Sequence, residues 1–154
     1  MTEAKILKKY RIGFDVWGLV LFLLIMLPNF VWFAYPAPND ILRAESATEI
    51  FDIIASICQV SIVVCLCFFI NQDSEKLHTS PLIVATVLFC LLYFVSWVVY
   101  YVGQVGALVV LGLTLFPCFA FFTFALDRKN MLAVIPISIF TLCHLEYGVV
   151  NFIM

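Results

Sequence analysis

The sequence predicts an all-α, polytopic integral membrane bundle of five transmembrane helices, and three observations carry that reading. The first is composition. Of 154 residues, 65% are hydrophobic and 12% charged, against about 45–50% and about 25% in soluble domains. The second is that the apolar residues fall into five blocks of the length a helix needs to cross the hydrocarbon layer, about 20 residues. The third is that the short polar segments between the blocks read as helix caps and turns. A mean hydropathy of +1.13 excludes a disordered chain. A net charge of −2 offers nucleic acid nothing to hold.

The first span, 14–35, follows basic residues as a secretory leader would. Its apolar run is longer than a leader's, however, and Pro28-Asn29 followed by Trp32 gives no small-residue cleavage site, so it is read as retained. The second, 48–70, opens on Ser46-Ala47-Thr48-Glu49, a spacing that makes Ser46 the N-cap with Glu49 reaching back. The third, 81–102, opens on Ser80-Pro81, a cap before a proline whose missing N–H costs nothing in a first turn. Gly103-Gln104-Val105-Gly106 forms a tight turn into the fourth, 106–126, and Asp127-Arg128-Lys129-Asn130 separates it from the fifth, 131–153. These spans make one membrane domain. Pro28, Pro117 and Pro136 lie within spans and each removes a helix hydrogen bond, a kink that either opens a cavity or improves packing.

Lys and Arg set the orientation. With the N-terminus cytoplasmic and the C-terminus external, Lys5, Lys8, Lys9, Arg11, Lys76, Arg128 and Lys129 lie inside and Arg43 alone outside. The location expected is the plasma membrane. No connection is long enough to hold a soluble domain, and there is no Gly-rich phosphate loop. All six cysteines fall within spans, where they read as small buried apolar residues rather than a disulfide framework. Cys65 and Cys67 diverge on a helix and make no metal pair. His144 is the one histidine within a span, so neither a metal site nor haem is expected, and no cofactor is implied.

Polar residues inside a bilayer are costly and therefore informative. Asp52, Ser56 and Gln59 form a stripe on the second span, Tyr93, Trp97, Tyr100 and Gln104 one on the third, and His144, Tyr147 and Asn151 one on the fifth. Asn29 and Trp32 add to them from the first. All lie in the outer half. Trp32, Tyr100 and Tyr101 suit an interfacial aromatic belt, but Tyr93, about 16 Å below Gln104 along a helix, is too deep for one. Ser56 and Gln59 also suit helix–helix contacts, and Asp52 a helix dipole. The fourth span, whose interior polar groups are Thr114 and Thr123, is expected to face lipid.

The stripes are expected to converge on an outward-facing pocket of Asn29, Asp52, Gln59, Tyr93, Trp97, His144 and Glu146, or else to close on one another. Two acids among aromatic rings favour a cationic or amphipathic small molecule. Glu146 alternatively forms a structural ion pair with Arg43, in a segment, Asp40–Glu45, expected to fold over the pocket mouth. Three functions follow, in this order: binding or passage of a small molecule, a non-catalytic subunit meeting a partner membrane protein or its own copies, and an intramembrane enzyme using Glu146 or His144 as acid or base. The five-span layout, and the layout only, resembles the tryptophan-rich sensory/translocator proteins, which bind tetrapyrroles and sterols; Tyr35-Pro36-Ala37-Pro38-Asn39-Asp40 after the first span is a poor substitute for that family's motif. That family's Trp-x-Pro-Pro segment is missing here, so no residue role is carried over.

Overall fold

The computed structural model describes residues 9–74 and 78–154. Its five long helices are α1 (Val16–Ala34), α2 (Glu49–Phe68), α3 (Pro81–Tyr101), α4 (Ala107–Asp127) and α5 (Met131–Phe152), each long and apolar enough to cross a membrane. The ends follow local chemistry. Asp15 caps α1 by accepting from Trp17 N at 3.0 Å, Ser80 caps α3 by accepting from Ile83 N at 3.1 Å, and Asn130 caps α5 by accepting from Ala133 N at 3.2 Å. Gly103, at φ 96°, supplies the left-handed residue of the turn between α3 and α4.

The start of α2 differs from expectation. Thr48 occupies the N-cap position without a side-chain cap bond, and Ser46 Oγ accepts instead from Thr48 N at 3.1 Å. Ser46 thus shapes the turn before the helix rather than the helix itself. The architecture is all-helical as expected, with one small addition, a two-stranded antiparallel ribbon: β1 (Tyr10–Ile12) pairs with β2 (Phe69–Asn71), which ends α2 at Phe68. The ribbon, residues 72–74 and 78–80 and the turn at 128–130 form one end of the bundle, called here the hairpin end. The segment 35–48, the turn at 102–106 and the C-terminus form the other, the loop end.

The helices close a ring in the order α1, α2, α5, α4, α3. Contacts are densest between α3 and α4, α2 and α5, and α4 and α5, and thinnest where α1 meets α2 and, above all, α3. Large apolar side chains such as Ile57, Val60, Val98 and Leu142, each more than 60% exposed, cover the girth. Such a surface suits hydrocarbon rather than water.

The expectation that the fourth helix faces lipid is overturned. Half of the α4 span is buried inside the bundle, against 22–28% for the other four. Polarity does not mark the inside of a membrane bundle, because lipid is as apolar as leucine; small size does. The buried face of α4 carries Gly112, Cys118, Ala120 and Ala125, so its neighbours approach closely. A Cβ on Gly148 of α5 would lie 3.0 Å from Thr114 Cγ2, and Thr114 spends its hydroxyl on the Val110 carbonyl at 3.0 Å.

Candidate functional site: a central cavity and its cover

A cavity of about 280 Å³ occupies the centre of the ring, lined from all five helices and by Leu42 of the loop end. Of the residues expected there, Asn29, Gln59, Tyr93, Trp97 and His144 line it. Asn29 Nδ2 donates to the Tyr93 hydroxyl at 2.8 Å and back to its own helix at the Ile25 carbonyl, 3.2 Å away. Among the described residues, Gln59 Nε2 finds only Met26 Sδ, at 3.3 Å, a weak acceptor. The buried indole N–H of Trp97 lies beside the Tyr93 hydroxyl but makes no bond of hydrogen-bond geometry. His144 packs its ring on Phe140, with centroids 4.1 Å apart, and on Tyr147, and hydrogen-bonds to no described residue. Thr114, Pro117 and Phe121 of α4 complete the wall. These were not expected, since the sequence put α4 outside.

Two of the expected residues are elsewhere. Glu146 lies on the exposed outer face of α5. It is two residues from His144, and such a step on a helix turns a side chain to the opposite side, so a cavity that takes His144 excludes Glu146. Asp52 is half-buried and accepts from Thr48 Oγ1 at 3.5 Å. It lies within electrostatic reach of Cys143, His144 and Tyr147 but outside the lining. Ser56, from the same stripe, is exposed and donates to the Asp52 carbonyl. The described lining therefore holds no carboxylate.

The expected Arg43–Glu146 pair is replaced by a local one. Arg43 Nε donates to Asp40 Oδ2 at 2.8 Å, its Nη2 donates to the carbonyls of Trp32 and Phe33, and its guanidinium lies 4.8 Å from the Trp32 ring centroid. An arginine three residues from an acid and beside the open carbonyls of a helix end has partners nearer than α5. Asp40 is the hub of this cover. Its Oδ1 accepts from Trp32 Nε1 and from the Tyr100 hydroxyl, both at 2.8 Å. Burial works against its charge, but these bonds and Arg43 outweigh it and hold the carboxyl below the usual carboxylate range. Leu42 N donates to the Tyr100 hydroxyl at 3.3 Å, which seats Leu42 against the cavity. Asn39 Nδ2 donates to the Gly103 carbonyl, Tyr101 to the Tyr35 carbonyl, and Ala47 N to Asn151 Oδ1, so the segment is tied to α3 and α5 as well. The signal for Asp40 in the sequence was an acid at the same end as the donors Trp32 and Tyr100.

The six cysteines are free, and all lie within helices. Comparison of the chain with family models, curated proteins and solved structures gives no match.

Proposed function

We propose that this chain is a multi-pass protein of the plasma membrane that binds a small amphipathic molecule in its central cavity. The observation that carries the reading is the lining: Gln59, Trp97 and His144 bring polar groups to one space inside the ring without strong partners for them among the described residues. Hydrocarbon solvates no such group, so a ligand or water must. The cavity volume falls just below the range of ordinary small-molecule sites, about 300–1,000 Å³. With Glu146 and Asp52 outside the lining, the preference shifts from a cation to a molecule with neutral donors and acceptors on an apolar body. The hairpin end faces the cytoplasm in this reading, supported by Lys9, Arg11, Arg128 and Lys129 there against Arg43 at the loop end.

The test is thermal melting of the purified protein in detergent against a panel of neutral amphipathic compounds. Saturating ligand is expected to raise the melting temperature by several degrees, and Gln59→Leu or His144→Phe to abolish that rise while leaving the unliganded protein folded. If no compound stabilises the chain and it is recovered intact only with another membrane protein, the reading fails in favour of an interaction subunit.

A further inference from the structure

Resting on the binding function just proposed, we infer that the ligand is a single-chain amphiphile dissolved in the bilayer, with its head in the central cavity and its tail in the groove between α1 and α3. That groove opens on the outside of the bundle, measures about 410 Å³, and is lined by Leu27, Pro28 and Val31 of α1 and by Phe94, Trp97 and Val98 among residues of α3. Its lining is almost wholly apolar, whereas the cavity behind it sets Asn29, Gln59, Thr114 and His144 among apolar walls, a division that matches a tail and a head. Trp97 belongs to both linings, so one side chain is the wall between them. A second apolar groove of about 360 Å³ continues along the same seam past Phe94 to Leu24, Val20 and Trp17. From Val20 to Val31 the seam runs roughly 16 Å along α1, enough for a medium-length acyl chain.

The seam is also where the ring is easiest to open. Contact between α1 and α3 is the thinnest around the ring, and what ties the helices at cavity depth is the Asn29–Tyr93 hydrogen bond and the Trp32–Trp97 ring contact, with centroids 6.4 Å apart. Pro28 has no N–H for the Leu24 carbonyl, so α1 is weakened at the level of the groove. At the loop end, by contrast, the Asp40 hub fastens Leu42 over the cavity. At cavity depth the described residues hold the lateral route by one hydrogen bond and a ring contact, with Tyr101 tied to the Tyr35 carbonyl at the rim, whereas the whole 35–48 cover holds the axial route.

The experiment uses the full chain in diacylphosphatidylcholine nanodiscs with a monoacylglycerol carrying a diazirine in mid-chain. After irradiation, saturable adducts are expected on the peptides that contain Leu27–Val31 and Phe94–Val98, competed by unlabelled monoolein. Val98→Trp, or separately Val31→Trp, fills the groove at an already exposed position and is expected to weaken probe binding about tenfold, the effect of withdrawing roughly two methylenes from apolar contact. Gln59→Leu is expected to weaken saturation while the remaining adducts stay in the groove. Non-saturable adducts spread over all helices, equal in wild type and Val98→Trp, would show ordinary boundary lipid and overturn the inference. A water-soluble compound that stabilises the protein through Gln59 and His144 with no groove labelling would overturn it and leave the cavity reading standing; absence of both effects would overturn the two together.

Discussion

At each end of the bundle an aspartate meets an arginine, but in different company. At the hairpin end, Asp15 accepts from Arg128 Nε and Nη2 at 3.1 and 3.0 Å, joining the start of α1 to the end of α4, with side chains only 9% and 14% exposed. Around them Asn130 Nδ2 donates to the carbonyls of Cys65 and Phe69, Asn71 Nδ2 donates to the Lys129 carbonyl, and Ser80 Oγ donates to the Asp127 carboxylate. Nearly every partner there is a backbone group or a cap. At the loop end, Asp40 instead gathers Trp32 and Tyr100, and its Arg43 is 41% exposed. The first pair locks helix ends together. The second holds aromatic side chains and Leu42 against a cavity, which is the kind of contact that can loosen without unfolding the protein.

The largest effect expected is from Asp15→Ala, which takes from the mostly buried Arg128 the carboxylate it shares with the start of α1 and removes the α1 cap. A loss of about 3 kcal/mol is expected from the cap and the charged hydrogen bonds together, read by denaturant or thermal unfolding in bicelles, with ligand stabilisation unchanged in the molecules that remain folded. Asp40→Ala is expected to cost less, about 2 kcal/mol, because Arg43 can turn to solvent. Its distinguishing mark is faster hydrogen exchange confined to residues 36–47. Equal spreading of exchange over both ends would erase the distinction between the two pairs.

Packing offers an independent comparison. A Cβ on Gly18, near the hairpin end, would lie 2.7 Å from the Leu66 carbonyl oxygen, a backbone atom, whereas one on Gly148, in the loop half, meets the Thr114 methyl. Gly18→Ala is expected to cost about 1–3 kcal/mol and Gly148→Ala less, since a side chain yields more readily than a backbone.

Acid sharpens the contrast further. Because the carboxyl of Asp40 is held below its ordinary value of 3.8, its contribution is fully present above that value and is lost as pH falls through the lowered one. Exchange in residues 36–47 should rise at the acid end of a titration in the wild type, and Asp40→Asn should lack that component. The smallest effect is expected from Glu146→Gln, within about 0.5 kcal/mol, with no coupling to Arg43→Gln in a double-mutant cycle. A coupling comparable to that of Asp40 with Arg43 would restore the long-range pair that the local one replaces.

The sequence alone determined the helices. Span lengths, the cap at Ser80 and the turn at Gly103 are local matters, settled by hydropathy and by hydrogen bonds a few residues long. It also marked Asn29, Gln59, Tyr93, Trp97 and His144, because a polar group deep in an apolar span needs an inside to face. Tertiary structure decided which helix lies at the core and which acids stay out. The burial of α4 rests on Gly112, Ala120 and Ala125, whose small size is invisible to a scale that counts apolarity. Asp40 took Arg43 from Glu146 because a partner three residues away costs less chain entropy than one on another helix. Only the closing of the ring set the helical phase of α5 relative to the other four, and that phase turns His144 inward and Glu146 out.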